Sequence, residues 1–396
     1  MGDNVSFVKA ENCSGCALCF AICPRKAITM RYNEEGFFYP VVDEKKCNRC
    51  GLCYEKCPFR KIINRNNYRH PESWSCWHKS EQVVMASSSG GAFTALAEEI
   101  LSRKGIIYGA SYNPDLSVSH VRIPSKDSLS VVKKSKYIQS DISRIYGEVE
   151  KDLRAGKNVL FVGTPCQIAG LYGFFGNNPA GLYTCDLVCH GVNSLAVFKA
   201  YLSYTGKRLR HSIESVDFRV KIPSWEVPSV GLYYRGGENI VKVNEDPFYR
   251  GFLHNYYLRL SCYNCRYNTL PRIGDITLGD FWCWDKRYRP ENFNPKGTSL
   301  VIINNDKGKE LFLKVSKDKL NVAIADLYKT VLYNPFIKTC AEYPHDFFKR
   351  KEIFSLVRQH KYRELFGKQL SPRYKLKDRM RKYLRLYKEK LVKLKR

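Results

Sequence analysis

Two runs of cysteine hold the chemistry most plainly legible in this chain. They are Cys13-x2-Cys16-x2-Cys19-x3-Cys23-Pro24 and, 34 residues further on, Cys47-x2-Cys50-x2-Cys53-x3-Cys57-Pro58. Three thiolates two residues apart wrap one face of a cube, and the fourth comes from the other copy, which is the spacing of two [4Fe–4S] clusters. Cys13, Cys16, Cys19 and Cys57 are thereby assigned to one cluster, and Cys47, Cys50, Cys53 and Cys23 to the other. The proline after each fourth cysteine turns the chain away and leaves no extra amide to satisfy. Zinc sites use paired CxxC units, and these runs offer more sulfurs than two such pairs need. Disulfides need an oxidising compartment, and MGDNVSFVKAENC has neither the basic start nor the apolar stretch of a signal peptide. Met1 to Ser6 fits the N-myristoylation template, a pattern short enough to arise by chance.

Eight further cysteines lie beyond these runs: Cys76, Cys166, Cys185, Cys189, Cys262, Cys265, Cys283 and Cys340. Lone cysteines are usually small buried hydrophobes. Cys262 and Cys265, however, form a CxxC, and Cys166 and Cys189 each follow a predicted strand. Parallel strands would bring those two to one sheet edge, where four thiolates could hold a third [4Fe–4S] cluster or a zinc.

The elements that position these residues fall into an α+β/α/β arrangement. Residues 1–66 read as a bacterial ferredoxin-like two-cluster module, with a short strand and turn in Gly36–Val42. Residues 67–85 read as a linker. From 86 to 345 a mixed α/β body is expected. Ser87-Ser88-Ser89-Gly90-Gly91 opens a helix that stops at Gly105, and IIYGASY follows as a strand. Free amides at such a helix start favour phosphate, although an ordinary N-cap is the commoner meaning. A helix is expected from Asp141 to Ala155 and a buried strand over 158–163. Thr164-Pro165-Cys166-Gln167 then leads into another helix, the usual place for a site in an α/β sheet. GLYTCDLVCHG reads as a strand ending at Cys189-His190-Gly191. Antiparallel strands follow over 212–243, then a helix over DPFYRGFLHNYYLRL, and strands in ITLGDFWCW and SLVIINN. Residues 346–396 are read as a basic helical tail. Leu376, Met380, Tyr383, Leu384, Tyr387, Leu391 and Leu394 recur there at amphipathic spacing.

Composition bounds the function classes. The 396 residues are 44% hydrophobic and 13% aromatic, enough for a sizeable core. No run of about 18 apolar residues suggests a membrane span. The formal charge is +28, and twelve Lys or Arg against Asp378 and Glu389 stand within 372–396. Such a balance attracts acidic partners. A redox protein or soluble carrier is the expected partner, and an anionic membrane surface is a second candidate through the tail. A nucleic-acid role is the weakest reading, since the charge concentrates in the tail and no nucleic-acid module is present. The expected location is cytoplasmic, or peripheral at the inner face of the membrane.

Six motifs together resemble the coenzyme F420 hydrogenase/dehydrogenase beta subunit family. They are Ser89-Gly90-Gly91, Ser135-Lys136-Tyr137, Gly163-Thr164-Pro165-Cys166-Gln167, Asp186-Leu187-Val188-Cys189-His190-Gly191, Cys262-x2-Cys265 and Gly274-Asp275-Ile276-Thr277-Leu278-Gly279-Asp280. The resemblance implies FAD beside an iron–sulfur cluster. It implies Cys166, Cys189, Cys262 and Cys265 as ligands of a third cluster, with Cys185 a spare. It also implies that Ser89, Gly90, Gly91, Ser135, Lys136 and Tyr137 lie at the flavin, and Thr164 is a further cofactor candidate. Lys136 would stabilise the reduced flavin's negative charge, and His190 is a candidate proton relay. The expected activity is that of an iron–sulfur flavoprotein oxidoreductase passing electrons between a two-electron substrate, FAD and [4Fe–4S] clusters. The alternative is a non-catalytic electron-transfer or docking subunit of a larger redox complex.

Overall fold

Alternating apolar residues generate the body. In β4 (Ile106–Tyr112) and β7 (Val159–Gly163), successive side chains face opposite sides. Ile106, Tyr108, Val159 and Phe161 enter one core, and Ile107 and Leu160 enter another. A sheet buried on both faces must be covered by helices, and it is. In the computed structural model, which describes residues 3–63, 65, 67–176, 179–283, 285–344 and 346–371, the two cores sit on either side of one nine-stranded sheet.

The N-terminal module holds helix α1 (Leu18–Ala21), the hairpin β1 (Ile28–Tyr32) and β2 (Phe38–Val42), and helix α2 (Leu52–Glu55). The body then runs through β3 (Glu72–His78), α3 (Glu81–Met85), α4 (Ala92–Ser102), β4, β5 (Val118–Ile123), β6 (Ser140–Asp141), α5 (Ile145–Arg154), β7, α6 (Pro165–Phe175), β8 (Leu182–Leu187) and α7 (Leu195–Leu209). A three-stranded antiparallel sheet of β9 (Ile213–Val220), β10 (Ser229–Tyr234) and β11 (Gly237–Lys242) follows, then α8 (Pro247–Leu253). The main sheet is completed by β12 (Ile276–Asp280), β13 (Ser299–Ile303) and β14 (Leu320–Ala325), with α9 (Asp306–Asp318), α10 (Leu327–Tyr333) and α11 (Phe347–Arg358) interleaved or following. Its order is β14-β3-β13-β12-β8-β7-β4-β5-β6. Neighbours from β12 through β8 and β7 to β4 are parallel. Helices α4 and α9 cover one face, and α5 and α6 the other.

Several sequence expectations are corrected. Residues 67–85 are no linker: β3 lies between β13 and β14. Its serines disguised a strand, and each finds a partner, Ser73 Oγ on Ala325 O at 2.6 Å and Ser75 Oγ on Asn292 Oδ1 at 2.9 Å. Helix α5 begins at Ile145 rather than Asp141, because Asp141 Oδ1 accepts from Ser143 N in a turn and Asp141 pairs with Ser119. Strand β8 ends at Leu187, and the strand in ITLGDFWCW ends at Asp280. The helix expected through Leu260 stops at Leu253, where Asn255 turns left-handed at φ 60°. The first part of the expected tail is body: Ile353, Phe354, Leu365, Phe366 and Leu370 are buried in the core beneath α7. The amphipathic repeat from Leu376 to Leu394 lies outside the described residues. Among the described residues no helix is long and apolar enough to cross a membrane.

The module does not stand apart from the body. Ala17 and Leu18 enter the core formed by α5 and α6, and Phe37 enters the core beneath α7.

Candidate iron–sulfur and electron-transfer site

The two cysteine runs share one backbone path. Gly15 and Ala17 are left-handed, at φ 67° and 58°. Their equivalents 34 residues on, Arg49 and Gly51, are left-handed at 52° and 76°. Left-handed residues alternating with right-handed ones curl a loop so that its amides face one centre, the arrangement that receives anionic clusters. The short helices α1 and α2 start directly after Ala17 and Gly51. Ala27 N donates to Cys23 Sγ at 3.3 Å. All sixteen cysteines are free thiols.

The thiols of the two runs crowd one another. Burial pushes the Cys16 thiol up to about 12, opposed by a backbone hydrogen bond at Leu18, and the nearby Cys57, Cys13 and Cys166 add to the rise. Cys19 is raised by burial and by Cys16, Cys13 and Cys57. Cys53 is raised by burial, with Cys23 and Cys47 as neighbours. Cys23, Cys47, Cys50 and Cys53 together line one cavity. Such crowding is unfavourable for free thiolates and is relieved when cationic iron binds them.

The second set converges through sheet register. Gly163 of β7 pairs with Asp186 of β8, so Cys166 and Cys189 each stand three residues past a matched pair. Thr164 caps α6 with a full capping box, its Oγ1 3.3 Å from Cys166 Sγ. Cys262 lies on the turn Leu260–Asn264, and Val192 N lies 3.5 Å from its Sγ. Cys166, Cys189, Cys262 and Cys265 line one cavity. Asn12, Ser14, Pro58 and Phe59 of the N-terminal module close another side of it. Burial pushes Cys262 up to about 12 and Cys265 up to about 11, with Cys166 adding to both. Cys185 is 0% exposed within the sheet core, away from this cavity. Among the described residues, no group of three or more His, Cys, Asp or Glu is gathered for a single metal ion. Four thiolates around a cube stand farther apart than four bound to one zinc at about 2.3 Å.

Cys16 packs directly on α6. A Cβ at Gly170 would stand 2.6 Å from Tyr146 Oη and 3.0 Å from Cys16 Cβ, and Tyr146 Oη donates to Cys16 O at 2.5 Å. Replacing a helix-interior glycine by alanine normally gains up to about 1 kcal/mol. Gly170→Ala is expected instead to lose about 1–3 kcal/mol through overpacking, read by denaturant unfolding of the iron-loaded protein.

The residues expected at a flavin meet in a separate neighbourhood. Ser135 N donates to Ser88 Oγ at 2.9 Å, joining the Ser89-Gly90-Gly91 and Ser135-Lys136-Tyr137 segments. Lys136 Nζ donates to the carbonyls of Val131, Lys133 and Lys134, and burial pulls it down to about 7. Tyr137 packs its ring against Phe218, Tyr249 and Phe252. Gly90 is required by a close approach: a Cβ would stand 2.4 Å from Cys76 O and 2.6 Å from Ser299 N. Gly90 N donates to Ser299 Oγ at 2.9 Å, and Ala92 N lies 3.5 Å from it. A side-chain hydroxyl therefore already meets the first amides of α4.

Sequence reasoning missed two cations here. Arg219 is bidentate with Asp280, at 2.7 and 3.0 Å, and donates to Ser88 O at 3.2 Å. Lys221 Nζ donates to Val84 O at 2.6 Å and Ser89 O at 2.7 Å, and burial pulls it down to about 7. The available signal was their spacing of two at the end of β9, which places both on one face.

His190 lines the cavity that holds Cys189, and its ring lies 4.6 Å from that of Phe252, which also packs on Tyr137. Its Nε2 meets Asn255 Oδ1 at 2.5 Å, its ring stacks on Phe336 at 4.3 Å, and burial pulls its pKa down.

Residues 135–139 connect the two neighbourhoods. Ser135 meets Ser88, Tyr137 O accepts from Asn193 Nδ2 at 2.8 Å, and Gln139 Oε1 accepts from Arg259 at 2.9 Å.

The two N-terminal cysteine runs mark an iron–sulfur protein, and four further thiols of the body line a cavity that residues of the N-terminal module also line. Residues 12–61 match the model of the 4Fe-4S dicluster domain. Residues 156–326 match the model of the C-terminal part of the coenzyme F420 hydrogenase/dehydrogenase beta subunit. The dicluster match thus precedes the match to the beta subunit's C-terminal part along the chain. A solved structure of the F420-reducing [NiFe] hydrogenase complex from Methanosarcina barkeri, derivatised with xenon, aligns over 75% of this chain and 94% of its own, at 16% identity and a TM-score of 0.46. No curated protein matches the chain.

Proposed function

We propose that the chain is an iron–sulfur flavoprotein oxidoreductase passing electrons between a two-electron substrate or coenzyme, FAD and [4Fe–4S] clusters. The observation that carries this reading is the succession of three thiol groups. Cys23, Cys47, Cys50 and Cys53 line one cavity, and Cys50 is exposed. Cys13, Cys16, Cys19 and Cys57 come next, and Cys16 neighbours Cys166 of the third group. A flavin, when bound, supplies the exchange between two-electron and one-electron chemistry that the clusters lack. Lys136, Arg219 and Lys221 would balance its negative charge beside Ser88, Ser89 and Ser135, and the 135–139 segment would hold it in a constant relation to the third thiol group. The family name makes coenzyme F420 the first two-electron partner to try.

A second reading, a non-catalytic electron-transfer or docking subunit, is favoured by one observation. Ser299 Oγ already meets the amides at the start of α4, where a phosphate would otherwise sit. The two readings separate when anaerobically purified protein is denatured, its released chromophore identified by chromatography and its iron counted. Stoichiometric FAD with about twelve iron atoms, three cubes of four, is expected. Absence of flavin with about eight iron atoms would favour the electron-transfer subunit.

A further inference from the structure

Four arginines are buried among the described residues: Arg219, Arg259, Arg272 and Arg350. Three have carboxylate partners, namely Asp280, Asp186 and Glu35. Arg259 has none among the described residues, although it is 0% exposed. Its Nε donates to Cys13 O at 2.7 Å, Nη1 to Gln139 Oε1 at 2.9 Å and Nη2 to Phe38 O at 2.7 Å. Nη2 also lies 3.6 Å from Cys13 Sγ, and the guanidinium carbon stands 4.1 Å from the centre of the Tyr39 ring. Every one of these oxygen partners is neutral. A guanidinium cannot escape burial by losing its proton, and an isolated buried charge is costly unless a countercharge is present. The residue also lines the cavity of Cys166, Cys189, Cys262 and Cys265, three positions before Cys262. The guanidinium therefore stands between thiols of two groups, Cys13 on the module side and the third set across the cavity on the body side.

We propose that Arg259 is the internal counter-ion shared by the two clusters that meet at the domain boundary, the one on Cys13, Cys16, Cys19 and Cys57 and the one on Cys166, Cys189, Cys262 and Cys265. It rests on the cluster reading given above. A fixed positive charge at this point stabilises whichever cluster carries the extra electron, and so holds both reduction potentials up. Net charge and hydrogen bonds to sulfur are among the quantities that set such potentials. Spanning Cys13, Phe38 and Gln139, the same planar fork also ties the module to the body, a task for which a lysine's single ammonium is poorly shaped.

The test is an EPR-monitored reductive titration of the anaerobically purified full-length protein, with iron counted on each sample. Arg259→Gln at unchanged iron should shift the midpoint potential downward, and Arg259→Lys should restore it at least in part. If Arg259→Gln loses iron, retention of iron by Arg259→Lys supports the charge requirement. An unchanged potential in iron-replete Arg259→Gln would overturn the proposal. Loss of iron from both variants would mark a packing role and overturn it equally. If the parent protein itself holds about eight iron atoms, the third cluster is withdrawn, and the shift is then read on the Cys13 cluster alone.

Discussion

A protein carrying Cys166→Ser together with Cys265→Ser should lose about four iron atoms per chain and keep about eight. The expectation follows from separation of the thiol groups. Cys166 and Cys265 line the body's cavity with Cys189 and Cys262, and neither belongs to the two N-terminal runs. Removing two of four thiolates leaves too few ligands for a cube, whereas the left-handed loops around Gly15 and Gly51 keep their own eight cysteines. Iron and acid-labile sulfide counted on anaerobically purified protein decide it, and unchanged iron would remove the third cluster from the account. Loss of all iron would mean that the third group also supports the module, which is physically possible because Asn12, Ser14, Pro58 and Phe59 line the same cavity.

The second large effect concerns the ion pair beneath this site. Arg272 Nη2 donates to Asp186 Oδ2 at 2.6 Å, both side chains being fully buried. The same guanidinium donates to Leu187 O at 2.9 Å and Ile337 O at 3.0 Å. It thereby ties the end of β8, immediately before Cys189, to the segment after α10. Burial holds the Asp186 carboxyl above the usual carboxylate range, opposed by Arg272 and Thr277. Arg272→Met should cost roughly 3–5 kcal/mol, the usual consequence of orphaning one buried partner. The pH dependence has a definite sign. Without Arg272 the folded state holds a proton on Asp186 that the unfolded state releases, so stability falls as pH rises above the ordinary carboxylate range. Denaturant unfolding at pH 5 and pH 7 checks both the size and the sign. A double variant, Arg272→Met with Asp186→Leu, should recover part of the loss, because no buried charge is then left alone.

The legibility of the site differs from residue to residue. The two runs from Cys13 to Cys23 and from Cys47 to Cys57 were readable because ligands close in sequence are constrained by the length of chain between them. The turn after β7 was readable because Thr164-Pro165 joins an N-cap residue to a proline suited to the first helical position. β3 was not, since Ser73 and Ser75 acquire their hydrogen-bond partners from Ala325 and Asn292, more than two hundred residues away. Arg219 and Lys221 read as ordinary surface charge until Asp280, Ser88 and Ser89 are folded around them.

By itself, the amino-acid sequence determined the two cysteine runs of the dicluster domain, the parallel βα units of the body and the likeness to a redox family. These depend on local spacing, on periodicity and on short motifs. Only the tertiary structure decided that Cys189 rather than Cys185 joins Cys166, Cys262 and Cys265. In β8, Cys185 points into the sheet core, while Cys189 lies beyond the strand's end at Leu187. It also decided that Arg259 lies between two thiol groups with no carboxylate partner among the described residues. A charge's counter-ion is set by what the whole fold brings within a few ångströms of it, and sequence distance carries no information about that.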